Sequence, residues 1–312
     1  MSPFDLQGHR GARGLKPENT LCGFEIAFDL GVSSIETDVH LTSDGIPILS
    51  HDPVISERLC RLLPGCTAPD PSSRPAVSSL SLAQLRSYRA DQNPDKQRFP
   101  DQDDRVTPLA RSYADALGMD PYALPALADL FAFAEAYAGA PGQRAGKLEA
   151  QRARVRQIRF DLELKRVPFR PAAIGDDFAG GEPSLLERSV LEQIRKAGVI
   201  QRTQVRSFDH RSILALRRLE PRLVTSALLA ETAPVALAQL VKQAGAQVYC
   251  PDFEFLDSAQ VDLAHAEGIR VVPWTVNVLE DCLRLLDWGV DGLTTDYPDL
   301  MIPLLHARGI AF

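Results

Sequence analysis

Short β-rich runs alternate with helical patterns along most of this 312-residue chain. The β-rich runs are Phe4–Gly8, Ser34–Val39, Ile158–Leu164, Thr203–Phe208, Leu223–Leu228, Gln247–Cys250, Arg270–Val276 and Asp291–Thr295. Helical spacing of apolar residues lies between them at Thr20–Leu30, Ser184–Ala197, His210–Leu219, Val235–Ala244, Ser258–Glu267 and Glu280–Trp288. Strands that alternate with helices at this spacing favour a parallel sheet in which the helices act as crossovers.

A further apolar run, Ile46–Ser50, follows the second strand too closely to be its parallel neighbour. A parallel crossover needs about a dozen residues or more, whereas Ser43-Asp44-Gly45 is typical of a tight hairpin turn. We therefore expect Ile46–Ser50 to fold back antiparallel on an extension of the second strand. Eight parallel strands remain, the number in a (β/α)₈ TIM barrel, which takes about 250 residues.

The residues beyond those that a barrel needs are concentrated in one insertion, 54–122, within a single barrel domain, 1–312. The insertion begins with a stretch rich in proline and serine and continues with a charged stretch, Asp91–Asp104. Between them, Ser81–Arg89 is typical of a short helix. A plain loop of roughly 70 residues is uncommon in a compact domain. We therefore expect a small inserted subdomain that caps the barrel.

Acidic side chains lie toward the carboxyl ends of the predicted strands, where barrel active sites are found. Glu36 and Asp38 are two residues apart and share one face of their strand, and Glu163 lies in the next barrel strand. Three converging carboxylates suit one hard divalent cation, Mg²⁺ or Ca²⁺, better than zinc, which prefers imidazole and thiolate. Two alternatives stay open: a strand face that meets water for Glu36 and Asp38, and a structural ion pair of Glu163 with Lys165.

Two histidines are expected at the same rim. If the hairpin turn centres near Asp44, Asp38 lies opposite Ser50 or His51, and this pairing returns His51 to the carboxylates. His9 ends the first strand, the neighbour of the second. Two imidazoles beside a metal suit general acid and base catalysis near neutral pH, although a capping or core role is the alternative for either one. The other histidines, His40, His210, His265 and His306, are interpreted as structural or surface residues.

Cationic residues accompany the predicted carboxylates. Arg10 follows His9, and Lys165 lies two residues beyond Glu163 on the same strand face. A divalent cation with an arginine and a lysine suits an anionic substrate whose reaction develops charge on oxygen, such as a phosphate ester. The alternative is that both residues only neutralise the carboxylates. Asn19 is suited either to capping the first helix or to a place at the metal rim.

Composition argues against several classes of protein. The 34 Lys and Arg against 41 Asp and Glu give a formal charge of −7, which disfavours nonspecific binding to nucleic acid. Every apolar run is shorter than the roughly 18 residues that a transmembrane helix needs. The first residues do not form a signal-peptide pattern, so we expect a cytoplasmic protein, or a periplasmic or secreted one if a leader precedes them. Cys60 and Cys66 are either two free thiols or a local disulfide.

The segments that contain these residues resemble the glycerophosphodiester phosphodiesterase family. The family's patterns are H-R-G with P-E-N-T, E-x-D-V, D-G…P…H-D-P, E-x-K, W-T-V-N and D-G-I-x-T-D-x-P. The matching segments here are His9–Gly11, Pro17–Thr20, Glu36–Val39, Asp44–Pro47, His51–Pro53, Glu163–Lys165, Trp274–Asn277 and Asp291–Pro298. The resemblance extends from about Phe4 to Leu300, and the order and spacing of the motifs together make it specific.

This resemblance implies a (β/α)₈ barrel with a small domain inserted after the H-D-P motif, and a role in glycerol and lipid metabolism. The implied site residues are His9 and His51 for acid–base catalysis, Glu36, Asp38 and Glu163 for one divalent cation, and Arg10, Lys165 and Trp274 for the substrate. The implied reaction converts a glycerophosphodiester, a small molecule, to sn-glycerol 3-phosphate and an alcohol. The substrate's own 2-hydroxyl would be the nucleophile, and a cyclic phosphate would then open with water.

Two other functions remain open from the sequence. A lysophospholipase D or phospholipase D activity on the same barrel needs an exposed apolar lip, for which the insertion offers Leu59, Leu62 and Leu63. A barrel that binds a ligand without chemistry is the second alternative. The sequence leaves open the alcohol group of the substrate, the choice between Mg²⁺ and Ca²⁺, and the oligomeric state.

Overall fold

Eight parallel strands form the central sheet of the computed structural model, which describes residues 3–68 and 74–312. The strands in chain order are β1 (Asp5–Gly8), β2 (Ser34–Leu41), β3 (Pro47–Leu49), β4 (Arg61–Leu62), β5 (Tyr88–Arg89), β6 (Arg159–Leu164), β7 (Thr203–Ser207), β8 (Val224–Leu229), β9 (Val248–Pro251), β10 (Arg270–Val271) and β11 (Gly292–Thr295). The parallel neighbours follow the order β10-β9-β8-β7-β6-β2-β1-β11. The strands β3, β4 and β5 lie outside this series.

Backbone hydrogen bonds join the two ends of the series. The amides of Asp291 and Thr294 donate to the carbonyls of Val271 and Pro273, each at 2.9 Å, and Val276 donates to Thr294 at 2.9 Å. The segment after β10 therefore continues as an irregular barrel strand beside β11, as the longer predicted strand Arg270–Val276 requires. The sheet is a closed (β/α)₈ TIM barrel, which confirms the predicted fold class.

Helices pack on the outer face of this barrel, apart from one short helix, Leu82–Leu85, which packs with the inserted segment. They are α1 (Leu21–Leu30), α2 (Leu82–Leu85), α3 (Pro108–Leu117), α4 (Leu127–Ala138), α5 (Ala140–Arg144), α6 (Glu149–Val155), α7 (Leu185–Lys196), α8 (His210–Leu219), α9 (Leu237–Gln243), α10 (Ser258–Ala266), α11 (Leu279–Asp287) and α12 (Pro298–Ala307). Short 3₁₀ turns lie at Val77–Ser79, Pro171–Ala173, Ile200–Arg202 and Phe253–Phe255. Among the described residues, we find no helix that combines the length and the apolarity needed to cross a membrane.

The period-two alternation of β2 separates the barrel core from the site. Ile35 and Val39 pack in the same apolar cluster as Phe24 and Phe28 of α1. Glu36 and Asp38, which alternate with them along the strand, project to the opposite face. Burial of the apolar face against α1 therefore fixes the direction of the carboxylates.

The hairpin that follows β2 has the predicted register. In the antiparallel pair of β2 and β3, Val39 lies opposite Leu49 and His40 opposite Ile48. The next step of the ladder is the amide of Ser50, which donates to the carbonyl of Asp38 at 3.1 Å. The hairpin thus returns the chain to the rim of the barrel one residue before His51.

The described part of 54–122 has its own small apolar cluster. This cluster contains Ile55, Cys60, Val77, Leu80, Leu85 and Tyr88, together with Ile48 and Leu124 from the flanking chain. The predicted helix Ser81–Arg89 is wrong beyond its first turn, because Tyr88 and Arg89 pair with β4 as an antiparallel strand. Residues 69–73 of the predicted insertion lie outside the described residues. The boundaries 54–122, and the division of 1–312 into a barrel and a subdomain, stay predictions.

Cys60 and Cys66 are both free thiols, as the first of the two alternatives expected. Cys60 is buried in the apolar cluster, and burial raises the pKa of its thiol to about 12. Cys66 is exposed. Oxidation to a local disulfide therefore plays no part in holding this loop in the structure.

Candidate active site

The predicted carboxylate cluster forms at the carboxyl ends of β2 and β6. These strands are parallel neighbours, and their register sets Asp38 beside Glu163. Glu36, Asp38 and Glu163 each offer an oxygen within 4.8 Å of the others, and all three residues are buried. A buried set of carboxylate oxygens is the donor set that Mg²⁺ and Ca²⁺ prefer, so these residues fit one hard divalent cation.

Lys165 bridges two members of this cluster. Its Nζ lies 2.6 Å from Glu163 Oε1 and 3.3 Å from Asp38 Oδ1. Burial alone would lower the pKa of Lys165, but Glu163 and Asp38 raise it above its usual value. Lys165 therefore keeps its positive charge beside the carboxylates, as predicted.

Asp38 is also held by residues that precede α1. Arg10 Nε lies 3.1 Å from its Oδ2, and Asn19 Nδ2 donates to the same oxygen at 2.9 Å. Burial would raise the pKa of Asp38, but Arg10 and Lys165 hold it well below its usual value. Thr20 rather than Asn19 caps α1, by accepting from the amide of Gly23. Of the two roles considered for Asn19, the structure supports the one at the rim.

A tight turn after β1 positions Arg10. Arg10 and Gly11 both have positive φ angles, of 50° and 93°. A Cβ atom at Gly11 would lie 2.8 Å from the backbone carbon of Gly23, so the close approach to α1 requires glycine. The turn aims the amide of Arg10 at Glu36 Oε2, to which it donates at 3.0 Å. The same turn sets the Arg10 guanidinium against Glu18, with Nη1 2.7 Å from Oε1.

His9 lies between the cluster and Asp296, the residue after β11. Its Nδ1 donates to Asp296 Oδ1 at 2.6 Å, and its Nε2 lies 3.8 Å from Glu36 Oε2. Asn277 Nδ2 donates to the other carboxylate oxygen of Asp296 at 2.8 Å. Burial would raise the pKa of Asp296, but His9 and Arg13 hold it below its usual value. The ionised carboxylate fixes the proton of His9 on Nδ1 and leaves Nε2 facing the cluster.

His51 has a similar partner but a more open position. Its Nδ1 donates to Asp52 Oδ1 at 2.8 Å, and its side chain is 36% exposed. The backbone carbonyl of His51 accepts from Nε2 of the buried His40 at 3.1 Å. Burial lowers the pKa of His40 to about 4, so this residue is a neutral structural group, as predicted. Because Nδ1 of His51 is bound to Asp52, its Nε2 is available for proton transfer.

Trp274 follows β10 at the same end of the barrel. Its indole Nε1 donates to the carbonyl of Cys250 at 3.0 Å, and its ring packs edge-on against Phe208 at 5.7 Å between centroids. The side chain is partly exposed. Its predicted role as a wall of the substrate pocket stays a prediction.

Arg206 of β7 belongs to the site but was not among the sequence candidates. Its Nη2 lies 2.9 Å from Glu36 Oε1, and its Nη1 lies 3.4 Å from Asp161 Oδ2. Burial would lower the pKa of Arg206, but Asp161 and Glu36 raise it well above its usual value. Burial raises the pKa of Asp161 to about 7, although Arg206 opposes that shift. Arg206 thus neutralises Glu36 through Oε1, and Oε2 of the same carboxylate lies toward His9.

We expect Arg206→Leu to lower the free energy of unfolding by about 3–5 kcal/mol, because it leaves Glu36 and Asp161 buried without their cation. Chemical denaturation monitored by circular dichroism measures this change. The matched control is Arg218→Leu, since Arg218 is exposed on α8 and surface changes shift stability by less than about 0.5 kcal/mol. Equal free energies of unfolding for the two variants would contradict the structural role of Arg206 beside Glu36 and Asp161.

The chain is similar over most of its length to known proteins. The model of the glycerophosphoryl diester phosphodiesterase family matches residues 9–300. The glycerophosphodiester phosphodiesterase of Bacillus subtilis (strain 168) is 27% identical over 298 residues, which cover 94% of this chain and 83% of that protein.

Two solved structures have the same fold. The first, from Silicibacter pomeroyi DSS-3, is of a protein with the same family name, is 29% identical and has a TM-score of 0.77, with 99% of this chain and 95% of that one covered. The second is an Oleispira antarctica phosphodiesterase in complex with its product sn-glycerol-3-phosphate, at 18% identity and a TM-score of 0.67, with 97% of each chain covered. Because the family model extends over nearly the whole barrel, the chain belongs to the glycerophosphoryl diester phosphodiesterase family.

Proposed function

We propose that the protein hydrolyses glycerophosphodiesters to sn-glycerol 3-phosphate and an alcohol with the aid of one divalent cation. The observation that carries this proposal is the arrangement of two histidines beside a buried carboxylate cluster. Each histidine has its Nδ1 tied to a carboxylate, so each has its Nε2 free for proton transfer. The B. subtilis relative is named for this activity.

Glu36, Asp38 and Glu163 would hold the cation, Mg²⁺ or Ca²⁺. When bound, it would supply positive charge that polarises the phosphate and lowers the pKa of the attacking hydroxyl. Arg206 and Lys165 moderate the charge of this cluster before the cation binds.

His9 is assigned as the base and His51 as the acid. His9 Nε2 is 3.8 Å from the carboxylate of Glu36, so it reaches a substrate hydroxyl held over the cluster. It removes the proton of the 2-hydroxyl, whose oxygen forms a bond to phosphorus. The bond from phosphorus to the alcohol oxygen breaks, and the partly exposed His51 donates a proton to that oxygen. With the roles reversed, His51 deprotonates water, which opens the cyclic phosphate while His9 returns its proton to the 2-oxygen.

Arg10 and Lys165 are proposed to bind the phosphate. Both lie beside Asp38, and both are charged, so they face the position where the phosphate oxygens gain negative charge. With Glu36, Asp38 and Glu163 holding the cation, Arg10 and Lys165 would turn donors toward the phosphate of the substrate. Such preorganised donors stabilise charge that develops on oxygen.

Asp296→Asn is expected to lower kcat on the order of 10²-fold, at the lower end of general acid–base effects. Asparagine carries no negative charge, and its NH2 group can donate to His9 Nδ1. The proton of His9 then shifts to Nε2, the atom that must be free to act as the base. Steady-state kinetics and thermal unfolding of the variant measure activity and folding separately. Asp287→Asn, on the exposed end of α11, is the control, and equal kcat values for the two variants would contradict the positioning role.

The test of the proposed function is the release of sn-glycerol 3-phosphate from glycerophosphocholine. The protein is first treated with a chelator and then assayed with Mg²⁺ or Ca²⁺ restored. Release that returns with one of these ions supports the proposal and identifies a competent ion. Absence of release with both ions, across several alcohol groups, would contradict it.

A lysophospholipase D activity is the second candidate. The leucines considered for an apolar lip do not favour it, because Leu59 and Leu62 pack against the apolar cluster of the insertion. Exposed apolar side chains are found instead on loops that follow barrel strands, with Phe169 83% exposed after β6 and Val278 51% exposed after β10. Release of choline from lysophosphatidylcholine faster than from glycerophosphocholine would favour this candidate.

A further inference from the structure

A cavity of about 340 Å³ connects the proposed active site to the inserted segment. Arg10 and His51 line it on the side of the barrel. Arg58 and Arg98, from the segment after the hairpin, also line it. The lining thus includes the proposed acid, His51, and none of the clustered carboxylates Glu36, Asp38 and Glu163.

The carboxylates in the wall of this cavity already have partners. Both oxygens of Glu18 pair with arginines, at 2.7 Å to Arg10 and 2.6 Å to Arg13. Asp52 accepts from His51. Asp95 Oδ1 accepts from the backbone amides of residues 97 and 98, each at 3.0 Å. Asp95 also interacts with the charges of Arg58 and Arg98. The lining holds four arginines against these three acids, so positive charge remains in excess in the cavity.

The two arginines from the segment after the hairpin have N–H donors without a partner among the described residues. A guanidinium has five N–H donors, and Arg58 uses its Nη2 for the carbonyl of Pro94 at 2.8 Å. Arg98 Nη2 lies 3.7 Å from Asp296 Oδ2, beyond hydrogen-bond distance. Both side chains are exposed. The guanidinium of Arg98 lies 5.2 Å from the ring centre of the buried Phe99, which supports it from one side.

We propose that this cavity binds the alcohol half of the substrate and favours an alcohol that bears an anionic oxygen group, a carboxylate or a phosphomonoester. The inference rests on the proposed function, in which His51 protonates the leaving oxygen. The glycerol half is neutral and common to all glycerophosphodiesters, so only the alcohol half can present a second charge to Arg58 and Arg98. Arginine binds both anionic groups through paired N–H donors.

Two pairs of substrates isolate this charge. Glycerophosphoserine differs from glycerophosphoethanolamine by one carboxylate, and glycerophosphoinositol 4-phosphate differs from glycerophosphoinositol by one phosphomonoester. All four release sn-glycerol 3-phosphate, so one assay gives kcat/KM for each. We expect the anionic member to be preferred in at least one pair, and the pair that shows the larger ratio identifies the anionic group.

The variants Arg58→Gln and Arg98→Gln test which residues create the preference. Each is expected to lower the ratio of kcat/KM for anionic over neutral substrate by about tenfold, as expected for loss of one charge-assisted contact. Use of the ratio cancels any effect of Arg98 on Asp296 that acts on all substrates alike. Arg111→Gln, exposed on α3, is the matched control and should leave the ratio unchanged.

A wild-type ratio of one or less in both pairs would overturn this inference, and so would ratios unaffected by both variants. In either case, hydrolysis of the neutral substrates would show that the proposed function still holds. Loss of all turnover, glycerophosphocholine included, would instead overturn the proposed function and the inference with it. Thermal unfolding of each variant at the wild-type temperature confirms that the comparison concerns folded proteins.

Discussion

Replacement of either His9 or His51 by asparagine is expected to lower kcat for glycerophosphodiester hydrolysis by about 10²–10⁴-fold, the usual contribution of a general acid or base. Asparagine is similar in size and can keep a hydrogen bond, but it does not exchange a proton near neutral pH. The double variant is expected to lose less than the product of the two single effects, because both histidines act in the same chemical step.

Two features of the variants make this result interpretable. His9 and His51 are held at the rim by Asp296 and Asp52, outside the apolar clusters, so we expect little change in thermal unfolding. His306→Asn is the matched control, since His306 is exposed on α12 and stacks on Phe312. Unchanged kcat in either rim variant would refute its acid–base role, and full activity in both would favour chemistry that does not involve this pair.

Local sequence periodicity was sufficient to predict the centre of this site. Glu36 and Asp38 share a strand face because β residues alternate, and the hairpin turn at Asp44 returns the chain beside them. Burial of Ile35 and Val39 against α1 leaves one choice of face for the carboxylates. A strand whose apolar side chains pack on one side thus specifies which way its other side chains point and the register of its pairing.

Asp296 and Arg206 could not be placed in the same way. Each pairs with a residue from a strand far away in the chain, so its contact exists only once the barrel closes. A signal was nevertheless present for Arg206, because a charged residue within a predicted barrel strand seldom lies buried without a partner. Asp296 lies in the T-D-x-P segment noted in the sequence, but no role was assigned to it there.

The inserted segment shows where local propensity fails. Ser81 and Gln84 form a capping box that begins a helix, as the pattern predicted. The helix nevertheless ends after Leu85, because Tyr88 and Arg89 pair with Arg61 and Leu62. A two-stranded pairing over a small apolar cluster overrides the helical preference of these residues, since tertiary contacts exceed the weak propensity differences involved.

Removal of the divalent cation is expected to abolish turnover, and restoration of Mg²⁺ or Ca²⁺ should recover it. Because a ligand that binds only the folded state stabilises it, a cation at a hundred times its Kd would raise the free energy of unfolding by about 2.7 kcal/mol. The thermal midpoint should therefore rise with the concentration of the effective ion. This second readout does not depend on activity and detects binding directly.

Glu163→Gln separates a ligand role from a structural one. The amide keeps the size of Glu163 but loses the charge, so we expect weaker cation binding and a smaller shift of the midpoint at a given ion concentration. Glu192→Gln on α7, where Glu192 is 60% exposed, controls for the loss of one negative charge. A midpoint that shifts equally in both variants and the wild type would mean that the ion binds elsewhere, and the buried carboxylates would then serve only as partners of Lys165, Arg10 and Arg206.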